Sequence, residues 1–155
     1  MKTIDEIIAG TPAFAGLAPE HLELIAGCAR NTAFDAGATI LREGAPADTF
    51  YVLRRGAVAL EIAVPGGGEL VIETLGPGDT LGWSWLFEPY RWHFDVRATE
   101  PVGAVAFDGA CLRGKCEQDH DLGYELMRRF AGSLLRRLQS TRVQLLDVYG
   151  RVHAG

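Results

Sequence analysis

A chain of 155 residues with a formal net charge of −5 is sized for one domain, which buries roughly two thirds of the surface its unfolded chain exposes and needs neither disulfide nor metal to hold a core. The acidic balance argues against an autonomous nucleic-acid binder, which carries a basic patch, and no apolar run approaches the roughly 20 residues of a membrane span. The opening MKTIDEIIAG has acids where a secretory leader has bases, so the chain reads as cytoplasmic.

The single domain, 1–155, divides into a helical lead-in (1–32), a β-roll (33–108) and C-terminal helices (109–152). In the lead-in, APEHLELIAGCAR places Leu22, Ile25, Ala26 and Ala29 at helical spacing behind Pro19. From about 33 to 107 the pattern changes to short strand candidates: TIL, TFYVLRRGAVALEIAV, ELVIETL, FDVRAT and VGAVAF. Gly37, Gly44, Gly56, Gly78 and Gly82 punctuate them, and PGGGE at 65–69 reads as a hairpin loop. Many short strands with regular turns and no βαβ alternation predict a mainly β, cupin-like antiparallel β-roll, or jelly roll.

From about 119 to 152 the chain reads as one long helix. Met127, Ala131, Leu134, Leu138, Thr141, Leu145, Val148 and Val152 step alternately by four and three residues, which is a heptad seam. Leu122, Leu126, Phe130 and Leu135 form a second flank. Such a helix can pack on its own barrel with one flank and on a partner copy with the other. The seam is either an intramolecular core stripe or a homodimer interface. Its persistence over four heptads favours the homodimer.

Cys28, Cys111 and Cys116 are odd in number, which fits a reducing compartment. The spacing of the last two is not that of a zinc knuckle, and the three read as ordinary reduced thiols with no metal role.

One segment stands apart. GWSWLFEPYRWHFD, residues 82–95, contains all three tryptophans of the chain, with two phenylalanines and a tyrosine. Its setting carries a resemblance. FAGLAPEHLELIAGCA, FDAGATILREGAPADTFYVLRRGAVAL, LGPGDTLGW and VRATEPVGAVAFD occur in the order that is similar to the cyclic-nucleotide-binding domain of the catabolite-activator (Crp/Fnr-type) family. The resemblance covers nearly the whole chain. It implies a lead helix, a β-roll containing a phosphate-binding cassette, and a long C-terminal dimerisation helix. The chain stops at Gly155, so the helix-turn-helix that follows in regulators of this family has no room, and no direct DNA binding is expected. Output is then expected through an unknown effector protein.

The resemblance also implies a cassette glycine followed by a glutamate on the ribose, and later an arginine and a serine or threonine on the cyclic phosphate. Here Gly82 is kept, Trp83 stands at the glutamate position, Trp92 at the arginine position and His93 at the serine or threonine position. The candidate ligand-binding set is Gly82, Trp83, Ser84, Trp85, Leu86, Arg91, Trp92, His93 and, on the long helix, Thr141. Strand parity puts Trp92, Phe94, Val96 and Ala98 on one face and His93, Asp95, Arg97 and Thr99 on the other, with Arg91 in register with the polar set.

Three readings stay open. The aromatics fill the nucleotide's place and the domain is a ligand-free dimeric scaffold. Or the pocket is remodelled for a different small molecule, with His93 as polar handle. Or cAMP or cGMP binds, with a base stacked on tryptophan and Arg91 on the phosphate. No cofactor is certain beyond such a ligand. No G-x-S-x-G, metal-binding histidine pair or GK[ST] loop is present, and the four histidines are scattered, so the chain does not read as an enzyme.

Overall fold

The computed structural model describes residues 3–82 and 84–153, the side chains of 152 and 153 excepted. Two short helices lead in, α1 (Ile4–Gly10) and α2 (Pro19–Ala26). A capping box opens α1: the Thr3 hydroxyl accepts from the Glu6 amide, and the Glu6 carboxylate accepts from the Thr3 amide. Pro19 begins α2, where its missing N–H has no helical partner to lose.

Among the described residues eight strands follow: β1 (Ala29–Phe34), β2 (Thr39–Leu41), β3 (Thr49–Arg55), β4 (Val58–Ala63), β5 (Glu69–Leu75), β6 (Thr80–Leu81), β7 (Asp95–Ala98) and β8 (Val102–Asp108). They form two antiparallel four-stranded sheets, ordered β1-β8-β3-β6 and β2-β7-β4-β5, a β-roll of jelly-roll type. The chain crosses from the first sheet to the second at Gly56. Its φ is +84°, and a Cβ there would run into the Pro101 carbonyl, so only glycine fits the crossing. Inner strand β8 pairs on both sides and is buried from Val102 through Phe107, which explains its unbroken apolar run.

Two expectations are corrected, and one strand is added that the sequence did not flag. The lead-in does not stay helical to residue 32. The chain is a strand from Ala29, because that residue opposes Phe107 in the β1–β8 ladder, and a ladder partner outweighs local helical spacing. Strand β6 is two residues long, too short for a pattern, and is held by Tyr51 and Val52. The cysteines are not all free: Cys28 and Cys111 are joined as a disulfide, with Cα atoms 5.9 Å apart across 83 residues of sequence, and Cys116 is the free thiol. Folding brings the start of β1 to the helix after β8, which linear spacing does not reveal. The cysteine count therefore no longer argues for a reducing compartment.

Helix α3 (Gly109–Gln118) is capped by Asp108, whose carboxylate accepts from the Cys111 amide at 3.0 Å. Helix α4 (His120–His153) has 34 residues, about 51 Å of length. Leu122, Leu126 and Phe130 are buried, Phe130 against Phe50 of the roll and Trp85. Leu135, expected on that flank, is 54% exposed, although Arg137 two residues on still pairs with Glu73 of β5 and donates to the Thr80 carbonyl of β6. Every described seam residue, Met127, Ala131, Leu134, Leu138, Thr141, Leu145 and Val148, is exposed. The seam is thus not a stripe packed on its own barrel. The side chain of Val152 lies outside the described residues.

Candidate ligand site at the cassette

Gly82 follows β6 with φ +93°, a conformation that strains any residue with a Cβ. Trp83 lies outside the described residues. Ser84–Leu86 form a single 3-10 turn, with Ser84 and Leu86 half-buried and Trp85 at 0% exposure. The Trp85 ring stacks on Phe50, with centroids 4.5 Å apart and planes 13° from parallel, and meets Phe130 of α4 edge-on at 5.7 Å. Phe50 stacks in turn on Phe107 at 4.7 Å. Trp85 is therefore a core residue joining roll to helix, not a pocket wall. Its indole N–H has no acceptor among the described residues.

The second half of the segment closes over Gly82. The loop is tied to 44–47 by backbone bonds: Trp92 N–H to the Ala45 carbonyl at 3.1 Å, Gly44 N–H to Trp92 at 2.8 Å, and Ala47 N–H to Tyr90 at 2.7 Å. The alternation read from the sequence is visible in burial. Trp92, Val96 and Ala98 are buried and Phe94 half-buried, while Arg91, His93, Arg97 and Thr99 are exposed. The Trp92 ring lies so close over Gly82 that a Cβ on the glycine would overlap it. Arg91 points out of the roll and donates to the Gly44 carbonyl at 3.3 Å.

Of the candidate residues, the structure thus brings Gly82 and Trp92 together, sinks Trp85 into the core, and leaves Arg91 and His93 outside. It also adds residues that the sequence did not flag. Arg113 of α3 donates to the Trp85 carbonyl, and its guanidinium lies 4.1 Å over the Tyr90 ring, a cation–π contact. Tyr90 has φ +53°. Nothing near Arg113 in sequence marks it as a brace, since its partners are 28 and 23 residues upstream.

Thr141 is remote from this cluster. It lines a groove of about 880 Å³ between α4, β5 and residues 77–80, to which none of the described cassette residues contributes. On the second sheet, buried Glu61 accepts from Arg97 Nε at 2.8 Å and is also paired with its terminal nitrogen. A hydrogen bond from Glu69, then the Arg97 bonds, hold the Glu61 carboxyl below the usual range, and the same bond pushes Glu69 up. Among the described residues no group of three or more His, Cys, Asp or Glu side chains is placed to hold a metal, and no helix is long and apolar enough to cross a membrane.

A family model described as the cyclic nucleotide-binding domain matches residues 31–119. The chain belongs to that family. A CRP-like cAMP-activated global transcriptional regulator of Mycobacterium tuberculosis is 29% identical over 151 residues, covering 96% of this chain and 67% of the relative. The cAMP-activated global transcriptional regulator CRP of Pasteurella multocida is 27% identical over 128 residues, 77% of this chain and 58% of the relative. Among solved structures, a candidate cyclic nucleotide-binding protein from Geobacter metallireducens is 32% identical, with a TM-score of 0.78 over 89% of this chain and 99% of that one. The N-terminal domain of a transcriptional regulator from Streptomyces coelicolor is 26% identical, with a TM-score of 0.68 over 90% and 94%.

Proposed function

We propose that this member of the cyclic nucleotide-binding family is a dimeric, non-enzymatic regulatory domain. It senses a small molecule without gripping a cyclic phosphate at the cassette, and it passes the signal along α4 to another protein or domain. The observation that carries this is Trp92, whose buried ring rests on Gly82 at the position where the family resemblance implies an arginine. A cyclic nucleotide brings a negative charge into the site. Burying such a charge unpaired costs several kcal/mol, and an indole ring supplies neither counter-charge nor paired donors. Arg91, the nearest substitute in sequence, is turned outward onto Gly44.

The dimer rests on α4. Its seam leaves Leu134, Leu138, Leu145 and Val148 between 39% and 58% exposed, and a second α4 in knobs-into-holes register would cover them. A ligand-free scaffold is the second reading, favoured by how completely Trp85 and Trp92 are buried.

Native mass spectrometry of freshly purified protein tests both. The expected result is a dimer carrying a small molecule other than cAMP or cGMP. A bare dimer supports the scaffold. A monomer at tens of micromolar, or stoichiometric retained cAMP, contradicts the proposal.

A further inference from the structure

Cys111 is the third residue of α3, so the Cys28–Cys111 bond is made in the first turn of a helix. The two sulfurs are not equally reachable. Cys28 is 8% exposed and Cys111 is half-buried, so a reagent from solvent meets the Cys111 sulfur first. Lys115 lies four residues further along α3, on the face that carries Cys111. Its ammonium donates to the Leu24 carbonyl at 2.7 Å and covers Gly27, the residue before Cys28, 2.6 Å from where a Cβ would be. That ammonium group thus flanks the joint between the two cysteines. The amide end of α3 adds partial positive charge at Cys111. Asp108 opposes it, but its carboxylate is engaged by the Cys111 amide at 3.0 Å.

A cation and a helix N-terminus both stabilise thiolates, and a sulfur that leaves as a stabilised thiolate leaves faster. The third cysteine stands apart. Burial, then the carboxylates of Glu117 and Asp119, push the Cys116 thiol up, which keeps it protonated and out of the exchange.

The bond also reaches the cassette. Two residues after Cys111, Arg113 donates to the Trp85 carbonyl and covers the Tyr90 ring. The start of α3 is held besides by backbone bonds, Gly109 N–H to the Asp48 carbonyl at 2.7 Å and Asp108 N–H to the Cys28 carbonyl at 2.9 Å. These do not involve the sulfurs, so opening the disulfide leaves the roll folded and loosens α3 locally.

We propose that Cys28 and Cys111 are a redox-active pair, opened by thiol reductants such as glutathione or a protein dithiol, and that the state of the bond sets how firmly Arg113 holds the cassette. A reductant thiolate attacks the Cys111 sulfur. The sulfur–sulfur bond breaks, and its electron pair leaves on Cys28, which takes a proton. A second reductant thiol then attacks the reductant sulfur of the mixed disulfide and releases Cys111 as a thiol. The protein gains two electrons and two protons, and the reductant becomes a disulfide; the reverse exchange closes the bond. This needs neither a bound ligand nor a dimer, so it stands or falls separately from the preceding proposal.

Equilibration of the full chain in mixtures of reduced and oxidised glutathione, without denaturant, tests it. Maleimide labelling and intact mass count the thiols. The expected result is a reversible passage from one free thiol to three across the mixtures, with a change in tryptophan emission that follows it. Lys115→Gln keeps a donor for the Leu24 carbonyl but removes the charge, and should raise the ratio of reduced to oxidised glutathione needed at the midpoint by about three-fold or more. Lys115→Arg and Cys116→Ser should stay near the parent. Arg113→Ala should keep the midpoint and lose most of the emission change. A bond that stays closed in every mixture, thiols that stay free in the most oxidising one, or a Lys115→Gln midpoint equal to the parent's overturns the redox-active pair. Reduction without a change in emission overturns its link to the cassette.

Discussion

Trp92 reaches Gly82 because strand parity turns it inward and because Gly82 has no side chain to hold it off. Truncation at either buried tryptophan leaves a large cavity. Trp92→Ala and Trp85→Ala are each expected to destabilise by about 3–5 kcal/mol in urea unfolding. Trp85→Phe should cost markedly less, since it keeps an aromatic against Phe50 and removes a buried N–H that has no acceptor. Equal losses for the two Trp85 variants would contradict that account. Glu61 gives a pH test. Its folded pKa is depressed, by Glu69 first and Arg97 second, so its contribution is present above the ordinary carboxylate value near 4.3 and is lost as pH falls through the folded value. Glu69 is shifted the other way: its contribution is present below the ordinary value and lost as pH rises through its folded one. Glu61→Gln should therefore lower the urea midpoint more at pH 7 than at pH 3, and equal loss at both would argue against the pair.

Helix α4 separates two roles along its length. Leu122, Leu126 and Phe130 are buried in the core, and from Leu134 onward the apolar residues are exposed. Leu134→Glu with Leu138→Glu should convert a dimer to a folded monomer, because the carboxylates would meet their copies across the seam; sedimentation velocity and far-UV circular dichroism read the two properties together. A wild type already monomeric at tens of micromolar would contradict the seam. The heptad was legible because its period is a property of local sequence, as was the inward set of β7. The exposure of Leu135 was not, since it depends on which side of α4 the roll meets. Nor were the ladder that makes Ala29 a strand and the Arg113 contacts with Trp85 and Tyr90, all of which arise between segments far apart in sequence. At the cassette, the substitutions at 83 and 92 could be read against the resemblance, but whether Trp85 lined a pocket or filled the core required its neighbours Phe50 and Phe130, which lie outside the segment.

In the whole molecule, the Cys28–Cys111 disulfide ties the lead-in to the helix that braces the cassette. A loop spanning 83 residues of sequence corresponds to about 4–5 kcal/mol in the chain-entropy model. Reduction should lower the urea unfolding free energy by up to that amount, and unchanged curves with and without dithiothreitol would contradict a formed bond in solution. The central claim is that a member of the cyclic nucleotide-binding family has its cassette packed shut by its own tryptophan. Each lost charge-assisted hydrogen bond is worth about 1.5–3 kcal/mol, so losing two weakens binding by at least about two decades. All three tryptophans lie in residues 83–92, which makes their fluorescence the direct readout. Titration with cAMP should give a Kd at or above about 100 µM, or about −5.5 kcal/mol; saturable quenching at low micromolar cAMP would contradict the claim.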